Sequence, residues 1–163
     1  TLPALALGVD QTKLSAMNKR PRKPDSSLFS GRVGISILYQ GILEGAIVLG
    51  VYAHALNTYG GAAATTMCFA TLGFIQLTHS MNVRSNTESI FRLGLFTNKA
   101  LLGAIVVSAL LQTVVILVPG LQEIFKVVPL NAVQWLTVAG AALAINVIVE
   151  GVKLVFRPRH HVN

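Results

Sequence analysis

The residues of this sequence that invite chemistry are polar side chains set inside long apolar runs. Gln76, His79 and Asn82 recur at every third position, with Thr78 and Ser80 beside them. On a helix that spacing keeps them near one face. Polar groups at membrane depth are costly and face protein or water, so they line ion paths or form hydrogen bonds between helices. Gln76 reads as part of an ion path. His79 and Asn82, nearer the end of the run, read as interhelical hydrogen-bonding residues.

Glu44 stands near the middle of another apolar run. A carboxyl there is either a proton or cation site or a protonated packing partner, and both readings stay open. Gly41 and Gly45 flank it in a Gly-x-x-x-Gly pattern, which permits close approach of a second helix. Asn146, Glu150 and Lys153 fall on one face of the last run, and Glu150 with Lys153 reads as a structural pair. The basic cluster Lys19, Arg20, Arg22 and Lys23 has two readings: a topology anchor beside anionic lipid, or a docking surface for a cytoplasmic domain.

What positions these residues is a set of membrane spans. Of the 163 residues, 53% are hydrophobic and only 12% charged, about half the charge of an ordinary soluble domain. Residues 32–56 are long enough to cross, interrupted at Glu44, and residues 61–83, 100–122 and 127–149 hold no Asp, Glu, Lys or Arg. A crossing helix needs about 20 apolar residues. Residues 2–9 are too few; they read as the last half of a span, broken at Pro3, in a chain that starts in mid-pattern. The expected fold is therefore all-α, a polytopic transmembrane helix bundle of one partial and four full spans, the last extending to residue 155.

The connectors fit one orientation. Residues 10–32 hold six basic side chains, residues 57–60 none, residues 82–99 three, residues 119–130 one, and the C-terminal end three. By the positive-inside rule the first and third connectors and the C-terminus are cytoplasmic. Pro119 and Gly120 are expected to end the third full span, and Pro129 to sit in the first turn of the fourth.

Several functions are argued against. No phosphate-binding Gly-x-x-x-x-Gly-Lys loop, Gly-x-Ser-x-Gly or His-Glu-x-x-His motif is present, so no ATP site or hydrolase centre is expected within the chain. The net charge of +7 lies at the ends of apolar runs, which points to anionic lipid and topology and away from nucleic acid. Cys68 is the sole cysteine, which excludes an intrachain disulfide. His160 and His161, adjacent near the C-terminus, read as a solvated tail. A cleavable signal peptide is not expected.

With these pieces in place, the chain resembles the C-terminal membrane region of type II P-type ATPases, the calcium pumps above all. LPALALGVD followed by MNKRPRKP is similar to the family's sixth span running into its cytoplasmic loop. QWLTVAGAALAINVIVEGVKLVFR is similar to the tenth span. The resemblance implies that residues 1–9 end the sixth span, that residues 10–31 are the loop, and that the four full spans are the seventh to tenth. It places a cation-binding Asp just upstream of Thr1, and a cation ligand of the eighth span at Gln76. Sarcoplasmic reticulum pumps carry Glu there and plasma-membrane calcium pumps carry Gln, so a single calcium per ATP is implied. The loop's likeness favours docking to a phosphorylation domain for Lys19, Arg20, Arg22 and Lys23.

The expectation is thus the membrane-domain part of an ATP-driven calcium exporter of the plasma membrane, with calcium as cargo. Its partners are the bilayer and the preceding part of the same pump, which binds ATP and magnesium and performs the hydrolysis. Two alternatives stand beside it: a pump for sodium, protons or magnesium, or a free-standing four-span scaffold.

Overall fold

The computed structural model describes residues 2–8, 32–82, 84 and 97–155, with side chains for all of these except 32, 33 and 153–155. The basic cluster at residues 19–23 and the tail with His160 and His161 lie outside the described residues, as does the side chain of Lys153. Six α-helices follow in order: α1 (Leu2–Gly8), α2 (Arg32–Tyr59), α3 (Gly61–Asn82), α4 (Lys99–Leu117), α5 (Pro119–Phe125) and α6 (Ala132–Val155). Four are long and apolar enough to cross a bilayer, over Gly34–Tyr59, Gly61–Asn82, Lys99–Leu117 and Ala132–Val152. At 1.5 Å per residue even a 20-residue helix spans the roughly 30 Å hydrocarbon layer. The chain is an all-α membrane helix bundle.

Helix ends have local causes. A single residue, Gly60, links α2 to α3 with φ of 88°, a left-handed conformation that a Cβ would strain. Its carbonyl accepts from the Ala64 amide at 3.0 Å, and the two helices fold back on each other. The α4 helix stops at Leu117 because Pro119 has no amide hydrogen to continue it. Pro119 then takes the first position of α5, where a missing N–H costs nothing. Lys126 closes α5 in a left-handed cap.

Two sequence expectations change here. Pro129 lies ahead of α6, outside its first turn, because Asn131 and Gln134 cap the helix reciprocally. The Gln134 amide donates to Asn131 Oδ1 at 2.9 Å, and the Asn131 amide to Gln134 Oε1 at 2.8 Å. A cap that satisfies two orphan donors outweighs a proline's preference for the first turn. Pro3 does not break α1 but sits buried in its first turn, where proline is tolerated.

The centre of the bundle is α3, packed by α2, α6, α4 and the short α1. Near the Gly60 end, Val51 and Ala55 of α2 meet Ala64, Met67 and Ala70 of α3, Ile116 of α4 and Val138 of α6. Towards the other end, Val48, Ile75, Ala142, Ile145 and Val149 form a second cluster. Phe74 touches both and meets Trp135 edge to face at 6.1 Å. Outer faces stay apolar: Leu38, Leu110, Leu136 and Val147 are all exposed. Water would penalise such a surface at about 25 cal/mol per Å², whereas lipid tails match it.

Candidate cation path beside the third helix

Each side of α3 treats its polar residues differently. Thr78 donates to the Ala142 carbonyl of α6 at 3.2 Å, and Asn82 Nδ2 donates to Asn146 Oδ1 at 2.6 Å. Asn146 Nδ2 in turn donates to the Ala142 carbonyl at 2.8 Å. These bonds join α3 to α6 without leaving the helical backbone short of partners. Asn82 is thus an interhelical hydrogen-bonding residue, as its position near the helix end led one to expect.

His79 has a more particular neighbour. Its Nε2 lies 3.8 Å from Glu44 Oε1 on α2, and the two side chains are 12% and 20% exposed. An acid and a base thus meet on the α2–α3 seam, thirty-five positions apart in sequence.

Gln76 points elsewhere. It is exposed, and with Ala62, Thr65, Phe69 and Leu72 it makes an uncovered stripe along α3. At 100° per residue, His79 and Gly73 lie about 60° to either side of it. His79 marks the side that meets α2, and Gly73 the side that meets α4. Gln76 therefore lies between the α2-facing and α4-facing sides of α3, an exposed amide on a mostly apolar stripe.

The neighbouring groove is shaped by glycine. Gln112 of α4 lays its amide over Gly73 and donates from Nε2 to the Phe69 carbonyl at 3.2 Å. A Cβ at Gly73 would stand 2.7 Å from Gln112 Cδ. Gly41 and Gly45 behave differently: a Cβ built on either meets nothing within 4 Å. The close approach that their spacing permits is not made among the described residues.

Finally, α1 is tied in by one residue. Asn98, buried at the start of α4, accepts from the Leu101 amide at 2.8 Å through Oδ1 and donates from Nδ2 to the Ala6 carbonyl at 3.2 Å. One side chain caps α4 and also satisfies a carbonyl near the end of α1.

An outward amide, a half-buried acid–base pair and a short helix tied to α4 are the polar features of this membrane bundle. Comparison with known proteins says what kind. A family model described as "Cation transporting ATPase, C-terminus" matches residues 1–155. The chain belongs to that family. It is 37% identical over 152 residues to the calcium-transporting ATPase 1 of Bacillus cereus, covering 83% of this chain and 17% of that protein. It is 38% identical over 141 residues to the calcium-transporting ATPase of Bacillus subtilis, covering 85% and 16%. With the calcium-transporting ATPase type 2C member 2 of Rattus norvegicus it shares 30% over 154 residues, covering 93% and 16%. The chain spans about one-sixth of the length of these relatives.

Within this cation-transporting ATPase C-terminal region, sequence reasoning singled out Gln76 and Glu44, and the structure sets them on adjoining sides of α3. It passed over Gln112, Asn98 and the Glu44–His79 contact. A lone Gln in an uncharged span and an Asn just before one were the available signals for the first two. Among the described residues no cluster of three or more His, Cys, Asp or Glu side chains gathers.

Proposed function

We propose that this chain is the closing membrane section of an ATP-driven calcium pump, and that Gln76 is its contribution to the cation path. The reading rests above all on one observation. Gln76 is exposed on α3, between the sides that meet α2 at His79 and α4 at Gly73, in a family whose curated relatives are named as calcium-transporting ATPases. An amide at membrane depth is expensive against lipid, so a polar ligand or protein partner is its natural neighbour. A carboxamide oxygen is a hard donor suited to calcium.

On this reading the preceding part of the protein covers the α3 stripe and supplies the remaining cation ligands, the ATP and magnesium site and the phosphorylation chemistry. Lys19, Arg20, Arg22 and Lys23 dock onto it from the cytoplasmic side. The pump sits in the plasma membrane with its C-terminus in the cytoplasm. Because Gln76 is uncharged, one calcium moves per ATP.

The complete protein, purified and reconstituted, tests this. ATP hydrolysis activated by calcium, with one calcium bound per phosphorylated protein, is the expected result. Activation by sodium, protons or magnesium in its place would assign another cargo. Two calcium sites in equilibrium binding would overturn the stoichiometry.

A further inference from the structure

We propose that α5 is a rigid elbow seated at the bilayer boundary, with Ile124 and Phe125 sunk among zwitterionic lipid headgroups. The inference goes beyond the calcium-pump reading and holds whatever cation is carried.

Position comes first. The α5 helix joins two crossing helices, Lys99–Leu117 and Ala132–Val152, so it lies where the chain leaves the apolar layer and re-enters it. Ile116 before it and Leu130 after it pack with Val51, Ala55 and Ala64, which puts α5 at the Gly60 end of the bundle.

The elbow is held from within. Gln122 donates from Nε2 to the Ile116 carbonyl at 2.7 Å, satisfying one of the last carbonyls of α4. The Gln122 carbonyl in turn accepts from the Val127 amide at 3.1 Å. Val127 is buried, and the Val128 amide donates to Thr66 Oγ1 of α3 at 2.9 Å. Ties to α4 on one side and α3 on the other fix which way the tip faces.

That tip is apolar. Ile124 is 72% exposed and Phe125 52%. In the chain they follow an exposed stripe of α4, Leu110, Val114 and Leu117, whose spacing of four and three keeps it on one face. The lipid-matched surface of α4 thus carries on into the elbow.

Charge decides between lipid and protein as the cover. Glu123 and Lys126 are exposed immediately on either side of the apolar pair. The core of a protein interface is depleted of Lys and Glu. The membrane boundary accepts the mixture, because apolar side chains reach about 5–10 Å into it while adjoining charges stay with the headgroups. One positive and one negative charge leave the tip neutral overall. They match a headgroup that carries both signs, with Lys126 on its phosphate and Glu123 on its ammonium. An excess of anionic lipid is not needed here, in contrast to the six basic residues of the connector 10–32.

The complete protein in phosphatidylcholine vesicles tests this. A nitroxide label is placed in turn at Ile124→Cys, Phe125→Cys and Glu123→Cys, and the unsubstituted protein is labelled in parallel to subtract native cysteines. Collisions with oxygen, which concentrates in the apolar layer, are compared with collisions with a water-soluble nickel chelate. Relative to nickel, labels at 124 and 125 should meet oxygen several-fold more often than the label at 123. Adding phosphatidylglycerol to the vesicles should leave that contrast unchanged. Equal nickel access at all three positions would put the tip in water and overturn the proposal. Labels at 124 and 125 shielded from both reagents would reveal a protein cover and overturn it equally. A contrast that appears only with phosphatidylglycerol would overturn the match to a zwitterionic headgroup.

Discussion

The two sides of α3 carry similar residues to different ends. On the side facing α2 and α6, polar groups are matched across the seam: His79 with Glu44, Thr78 with the Ala142 carbonyl, Asn82 with Asn146. On the adjoining side, about 60° round the helix from His79, Gln76 stands exposed in a stripe of Ala62, Thr65, Phe69 and Leu72. The residues at positions 76, 79 and 82 share a spacing, yet among the described residues interhelical partners appear for 79 and 82 and not for 76. Periodicity chooses a face; the neighbouring helix chooses the role.

If the matched seam holds the bundle and the open side serves the ion, substitutions should separate stability from activity. A stability loss is expected at Gly73. Gly73→Val drives side-chain atoms into the Gln112 amide, where even a Cβ falls 2.7 Å from Gln112 Cδ. The Gln112 amide is the far end of a flexible side chain and can swing aside, so the cost in thermal unfolding should be about 1 kcal/mol, the low end for an overpacked contact. Adding Gln112→Ala should recover much of that.

Next is the joint between α3 and α6. Asn146→Leu removes the acceptor for Asn82 Nδ2, and hydrogen bonds between membrane helices are worth about 0.6 to 1.7 kcal/mol. Asn82→Leu combined with Asn146→Leu should cost less than the two single losses added, because neither amide is left facing an apolar partner. Asn98→Ala removes a helix cap and its bond to Ala6, a loss of about 1 kcal/mol. Limited proteolysis near α1 would register it as well. Smallest is Leu136→Ala on the exposed face of α6, expected within about 0.5 kcal/mol, since its side chain gives up contacts with lipid rather than with the bundle.

Much of the fold could be read directly from the chain, and for a simple reason. A membrane span is written as an uncharged run of about 20 residues, so the four crossing helices lie where the charge gaps are. Pro119 announces the break after α4, whereas the link at Gly60 is shorter than the connector expected over residues 57–60. What could not be read was register between helices. Nothing local says that residue 44 meets residue 79, or that Gly73 makes room for Gln112 some forty positions later. His79 read as an interhelical hydrogen-bonding residue, and only the packing of α2 reveals its carboxyl neighbour. The cap at Asn131 and Gln134 was equally hidden, because Pro129 offered a more familiar helix start.

The central claim is that the open side of α3 belongs to the cation path. Equilibrium calcium binding to the complete protein carrying Gln76→Ala tests it most directly, with thermal unfolding measured on the same sample. On this account Gln76 faces the ion and not a packing partner, so its truncation should cost at most about 1 kcal/mol of stability, while calcium affinity falls about tenfold or more, the order expected for losing one ligand. Wild-type calcium affinity in a stably folded Gln76→Ala protein would contradict the account.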